Sequence, residues 1–408
     1  MAISRKDSRG YVLYKGETQR KDGRYAYSYT DNAGKRHTTY ARTLVALRQK
    51  KRQILRDLED GLNPEEADKI TLNQLFDKYI GQKYDLKPTT RAGYKYMYDR
   101  FVRDDFGKRK IVKIRYSDVR EFYYDLIYQK KLTVSTVDGI HTLLHPALQM
   151  GVRDGLLRAN PTDGVMGEIK KSRLWTRPKR HALTIPQQKA FMDYLRSSRE
   201  NSGWVPILTV LLGTGMRIGE CLGLTWNDLD FEKRTISVNH NLTTHVGEDG
   251  RCIRHISTPK TESGTRTIPM LDEVFEAFLK EYEIQRCIGY ESETIDGYSG
   301  FVFTTDKGSV MADTVVNRAI HRIAEEYNAI EEKAAKKENR EPLLLPSFSA
   351  HNLRHTFCTR LCENETNLKV IQSLMGHSDI STTMDVYAEA TGEKVQEVVT
   401  SLNGKIIF

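Results

Sequence analysis

Residues 351–361 read HNLRHTFCTRL, and the reading of this stretch decides the fold of the chain's second half. On a helix, residues three and four apart are neighbours, so His351, Arg354 and His355 share a face. Two histidines four apart can grip zinc. A histidine and an arginine three apart can instead grip a phosphate. Three features argue against zinc. Asn352, not a glutamate, follows the first histidine. Arg354 between the histidines would repel a dication. Cys358 and Cys362, four apart on one continuous helix, lack paired ligands elsewhere. We read both cysteines as buried helix residues and expect neither metal nor cofactor.

The rest of the chain favours an anionic partner. It has 408 residues, room for two or three domains, and a net charge of +9. The first 56 residues hold 15 Lys/Arg against four Asp/Glu, so the basic excess is concentrated there. No run of 18 apolar residues suggests a membrane span, and MAISRKDSRGY lacks the apolar core of a signal peptide. A cytoplasmic protein is expected. Five scattered cysteines argue against a disulfide framework.

Patterning divides the chain. GYVLYKG, RYAYSYTD and KRHTTYAR, separated by turn signals, predict a three-stranded antiparallel sheet. A helix over 44–61 follows, then a linker, LNPEEADK. From Thr71 to about residue 158 the pattern predicts a bundle of about four main helices, broken at Asn160-Pro161. KKSRLWTRPKRH, residues 170–181, carries six Lys/Arg and no acid. Beyond it, Thr184 and Gln187 form a capping-box pattern. An apolar helix, WVPILTVLLGTG, comes next. Strand-like RTISVNHNLTTHV, RCIRHISTPK and GTRTIPM follow, then further helices, including the charged EEYNAIEEKAAKKENR. The predicted fold class is multidomain α+β. A small three-stranded N-terminal sheet with a helix precedes a helical bundle, then a mostly α-helical domain with a small antiparallel sheet.

GTGMRIGECLGLTWNDLD (213–230), STPKTESGTRTIPM (257–270), HNLRHTFCTRL and LMGHSDISTTMDVYAEAT (374–391) occur in this order in one domain. Together they resemble the signature blocks of the tyrosine recombinases of the phage lambda integrase type. Length and the three-strand N-terminus are most similar to integrases of conjugative transposons of Gram-positive bacteria. The resemblance implies an arm-type DNA-binding domain over 1–65, a core-binding helical domain over 70–168 and a basic linker over 169–182. A catalytic domain over 183–398 and a tail over 399–408 complete the division. It further implies a homotetramer on double-stranded DNA with arm-type and core-type sites, the bundle and catalytic domains closing around core sites as a clamp. An excisionase and a host DNA-bending protein would be partners, and no membrane is involved.

The resemblance also assigns residues. Arg217 and Arg354 match the family's two arginines, His351 and His377 its further phosphate donors, and Lys260 its general acid. Tyr387 matches the nucleophile, and Glu220 an acidic position that orders the pocket. The chemistry explains the residue types. Attack on a phosphodiester gathers negative charge, which preorganised cations stabilise. Arginine stays charged and can grip two oxygens. One departure stands out: Glu389 occupies the position, two after Tyr387, where many relatives carry histidine. The implied activity is site-specific DNA recombination through a 3′-phosphotyrosyl intermediate. A resolvase or invertase of the same chemistry, a regulator without catalysis and a metal-dependent nuclease are the alternatives. The apolar end IIF of the tail is expected to pack on a neighbouring protomer.

Overall fold

A computed structural model describes residues 5–31, 34–172, 181–247, 251–259, 262–288 and 292–391. Lys260, most of the basic linker and the whole 399–408 tail lie outside the described residues. The chain divides into two compact units, Met1–Arg177 and Pro178–Phe408.

The first unit opens with the expected antiparallel sheet, ordered β1 (Glu17–Gln19), β2 (Tyr25–Thr30), β3 (Arg36–Ala41). Alternation along β2 puts Tyr25, Tyr27 and Tyr29 on one face, where they pack with Leu47 of α1 (Leu44–Glu59). The other face carries Thr18, Ser28, Thr38 and Tyr40. The first strand begins later than expected. Gly16 takes φ +84 and turns the chain before Glu17. The fully buried Glu17 carboxylate then accepts from the Tyr14 amide and pairs with Arg48 and Lys51 of α1. These partners lock the turn where the pattern alone predicts strand.

Residues 62–69 are not a loose linker. They include α2 (Pro64–Ala67), Tyr29 donates its hydroxyl to Glu65, and Ala67 is buried in the bundle core. The bundle comprises α3 (Leu72–Gly81), α4 (Pro88–Tyr98), α5 (Tyr116–Tyr128) and α6 (Val134–Arg153). Leu75, Phe76, Tyr98, Val119 and Leu144 fill its centre. Thr71 and Gln74 cap α3 reciprocally. A further short helix, α7 (Val165–Lys171), follows the Asn160-Pro161 break and buries Val165 and Ile169.

In the second unit, α8 (Ile185–Ser197) starts at the expected Thr184–Gln187 capping box. Next, α9 (Val205–Thr214) is apolar on all sides and therefore runs through the core, burying Ile207, Leu208, Val210 and Leu211. It leads through Gly215 into α10 (Ile218–Gly223). Five strands follow: β4 (Leu229–Asp230), β5 (Thr235–Val238), β6 (Asn241–Val246), β7 (Cys252–Ser257) and β8 (Arg266–Pro269). Residues 234–246, one strand by pattern, are two. β5 belongs to a β4-β5-β8 sheet, and β6 forms a hairpin with β7. Between them His240 turns inward, buried, with Nε2 bonded to the Gly223 carbonyl at 2.6 Å, which redirects the chain. The remaining helices are α11 (Asp272–Ile288), α12 (Asp313–Glu338), α13 (Ala350–Asn364), α14 (Leu368–Met375) and α15 (Ile380–Thr391). Among the described residues no helix is long and apolar enough to cross a membrane. All five cysteines are free, and Cys221, Cys358 and Cys362 are buried.

Candidate active site

Two helix ends build the site. Both α9 and α14 stop at a glycine, Gly215 and Gly376, each at φ +61. Glycine adopts this left-handed conformation without strain, and the last carbonyls of each helix are left without helical donors. Arg354, on α13, serves both ends: Nη1 donates to the Gly215 carbonyl at 2.7 Å and Nη2 to the Met375 carbonyl at 2.5 Å. Arg217, at the N-cap of α10, donates Nη2 to the Gly376 carbonyl at 3.2 Å. Arg266, on β8, donates Nε to the Leu374 carbonyl at 2.8 Å. Three arginines distant in sequence thus meet three successive carbonyls, 374 to 376.

Glu220 links two of them. Its Oε1 accepts from Arg217 Nη1 at 2.6 Å, and its Oε2 from the Arg217 amide at 3.0 Å and Arg266 Nη2 at 2.9 Å. Burial alone would raise the Glu220 carboxyl. The Arg266 hydrogen bond, the charges of Arg266 and Arg217, and the Arg217 amide outweigh it and hold the group below the usual carboxylate range. Arg354 is 3% exposed, and burial, with Arg217 and Arg266 nearby, pulls its guanidinium down to about 10. It remains a cation at neutral pH. The Arg217 side chain is 44% exposed and opens to solvent.

His377 follows Gly376, is buried, and holds its Nδ1 2.9 Å from the Thr383 hydroxyl. Thr383 lies on α15, and Tyr387 is one turn further along the same face. Tyr387 is partly buried against the cluster of Cys358, Cys362, Ile371, Met375 and Val386. His351 stands exposed in the first turn of α13, near enough to bear on the titration of His377. The described residues thus gather Arg217, Glu220, Arg354 and His377 in one cluster. His351 lies beside it, and Tyr387 is on the helix packed against α13. His355 is half-buried. Among the described residues no three His, Cys, Asp or Glu side chains stand close enough to hold a metal ion.

Two members of the cluster escaped the sequence reading, Arg266 and Thr383. Arg266 left a trace. In TESGTRTIPM every second residue from Gly264 to Met270 points inward, so Arg266 falls on the apolar face, where an arginine is out of place unless paired. Thr383 left none, since its role depends on His377 arriving from another helix.

Burial, with Arg354, Arg217, Arg266 and His351 around it, pulls His377 down to about 4. An unfolded histidine titrates near about 6.5. The unfolded chain therefore takes the proton first on acidification. The stability that neutral His377 contributes is whole above pH about 6.5 and is lost as pH falls towards about 4. Melting temperature followed from pH 7 to 4 should fall less steeply in His377→Gln than in the native chain. Parallel curves would contradict this.

Three family models match the chain. Residues 182–394 match the phage integrase family, residues 71–127 the phage integrase N-terminal SAM-like domain, and residues 1–64 the DNA-binding domain of Tn916 integrase. The chain belongs to the phage integrase family, the tyrosine recombinases. Within it, the chain is a site-specific recombinase of the conjugative-transposon type. It is 32% identical over 419 residues to the transposase from transposon Tn916 of Enterococcus faecalis, covering 99% of this chain and 98% of that one. Its structure is similar to that of the Tn1549 transposon integrase in complex with transposon right end DNA. That match has TM-score 0.70 and 31% identity, covering 82% of this chain and 100% of that one. A lambda integrase dimer bound to a core site shares the fold, with TM-score 0.54 and 16% identity over 92% of this chain and 95% of that one.

Proposed function

We propose that Tyr387 attacks a DNA phosphodiester held by Arg217, Arg354, His351 and His377, with Lys260 protonating the leaving 5′ oxygen. The observation that carries this reading is the preset pair of arginines on the carbonyls of residues 215, 375 and 376. Cations already fixed by the protein need no reorganisation as charge develops on the phosphoryl oxygens. Arg217, open to solvent, meets the phosphate, and Arg354, fixed between the two helix ends, adds its charge beside it. Glu220 is not a base here. Both its oxygens are taken by donors, and it stays ionised to aim Arg217. The tyrosyl oxygen–phosphorus bond forms, the phenolic proton passing to the His351 imidazole, as the phosphorus–5′-oxygen bond breaks. A 3′-phosphotyrosyl enzyme and a free 5′-hydroxyl result. The bond energy stays in the covalent link, so rejoining to another 5′-hydroxyl requires neither ATP nor metal. A nicked duplex carrying the core site tests this: a covalent protein–DNA band should form in excess EDTA. A band that appears only with magnesium would sink the reading.

The substrate is double-stranded DNA. Exchange between two duplexes breaks four strands, one tyrosine each, so the working species is a homotetramer. Residues 70–168 and 183–398 bind core-type sites. An excisionase and a host DNA-bending protein set direction, and the enzyme works in the cytoplasm with its DNA. Residues 1–65 bind arm-type sites through the open face of the sheet, where Thr18, Ser28, Thr38 and Tyr40 alternate outward and Arg20 stacks on Tyr40. A β-sheet of this kind fits a major groove, and exposed Arg20 and Arg36 flank it. Arg20→Ala with Arg36→Ala should weaken arm-site binding and flatten its salt dependence by about 0.9 in slope per lost phosphate contact. Core cleavage should be unchanged. An unaltered slope would refute the assignment of this face.

A further inference from the structure

Arg266 belongs to none of the roles above, yet it is as fully engaged as Glu220, each with three hydrogen bonds. It is 9% exposed. Every nitrogen of its guanidinium has an acceptor within the protein. Nε donates to the Leu374 carbonyl at 2.8 Å, Nη1 to the Gly264 carbonyl at 3.2 Å and Nη2 to Glu220 Oε2 at 2.9 Å. These acceptors come from three segments. Gly264 lies in the turn four residues beyond Lys260, Glu220 lies on α10, and Leu374 lies in the last turn of α14. The fit is tight: a Cβ on Gly376 would stand 2.9 Å from Arg266 Nη1. Glycine at 376 therefore admits Arg266 as well as the left-handed turn.

The geometry points to Arg266 as a positioning residue for DNA cleavage. Through Glu220 it fixes the direction of Arg217. Through the Leu374 carbonyl it fixes the turn whose next two carbonyls hold Arg354 and Arg217. Through Gly264 it ties that turn to the segment following Lys260. Each of its three nitrogens already donates to a protein acceptor, and its part is to hold Arg217 and the α14 turn rather than the phosphate. A planar group with donors on three nitrogens is required, since three acceptors in different directions must be met at once. This inference rests on the roles proposed for Arg217, Arg354 and Tyr387.

The test uses the full chain and the nicked core-site duplex, with single-turnover rate and DNA affinity measured separately. In Arg266→Gln the rate at saturating DNA should fall about 100-fold, the scale of loss when reacting groups are misplaced by about 1 Å. DNA affinity should stay within about twofold, since the three lost hydrogen bonds go to protein acceptors. Arg266→Lys, which keeps the charge and should fold if the Gln variant does not, should recover part of the rate at unchanged affinity. Wild-type rates in either variant, or a rate loss matched by lost affinity, would overturn the inference. Native chain and Tyr387→Phe run in the same gel separate the two readings. No Tyr387-dependent band in the native chain defeats the functional proposal. Such a band with Arg266 variants at full rate defeats only the positioning role.

Discussion

Tyr387→Phe abolishes the covalent protein–DNA band and leaves DNA binding intact. The substitution removes one oxygen and keeps the ring. That ring packs beside Phe357, Leu361 and Leu368 around Cys358, Cys362, Ile371, Met375 and Val386, so phenylalanine preserves the contacts that seat α15. The cationic cluster of Arg217, Arg354 and Arg266 is built from other elements and is unchanged. Loss of a nucleophile in an otherwise intact site typically costs about 10⁴-fold or more, so the band should fall below detection in a gel. The chain contains 21 tyrosines, which makes the control informative. A band that survives at native intensity would mean that another residue attacks.

Arg217→Ala and Arg354→Ala should both reduce cleavage by about 10²–10³-fold, the cost of removing one preorganised donor. They should differ in stability. Arg217 is 44% exposed at its side chain, so its removal should shift melting little. Glu220 keeps the Arg217 amide and Arg266 as donors. Arg354 is buried and serves the Gly215 and Met375 carbonyls. Its removal strands both at about 1–3 kcal/mol each, on the order of 4–24 °C in melting temperature for a unit of this size. Single-turnover cleavage and thermal melting of the two variants check this. Equal melting losses in both would show that Arg354 is not the strut between the two helix ends.

The candidate site was read from the resemblance of four sequence blocks to a family, and the described residues bring Arg217, Arg354 and His377 of those blocks together, with His351 beside them and Tyr387 on the helix packed against α13. The helices were legible where a local signal marks them. Thr71–Gln74 and Thr184–Gln187 are capping boxes, and α9 is uniformly apolar. The errors fell where a distant partner decides. The first strand starts at Glu17 because Arg48 and Lys51, over 30 residues away, hold a buried carboxylate. Residues 234–246 break into two strands because His240 finds the Gly223 carbonyl. The supposed linker at 62–69 packs because Tyr29 and the bundle core receive it.

The sequence alone therefore determined the order of the elements, through local periodicity, capping and charge that neighbouring residues express, and its resemblance to a family pointed to the kind of protein. The tertiary structure decided what the HNLRHTFCTRL helix does with the first of its two arginines. Arg354 reaches backward to the end of α9 and forward to the end of α14. Only that convergence makes the carbonyls of 374 to 376 a common seat for three guanidinium groups and makes Arg266 part of the site. A backbone carbonyl has no residue identity, so a seat built from carbonyls leaves no mark in the sequence. It exists only once burial has removed water and left each carbonyl in need of a donor.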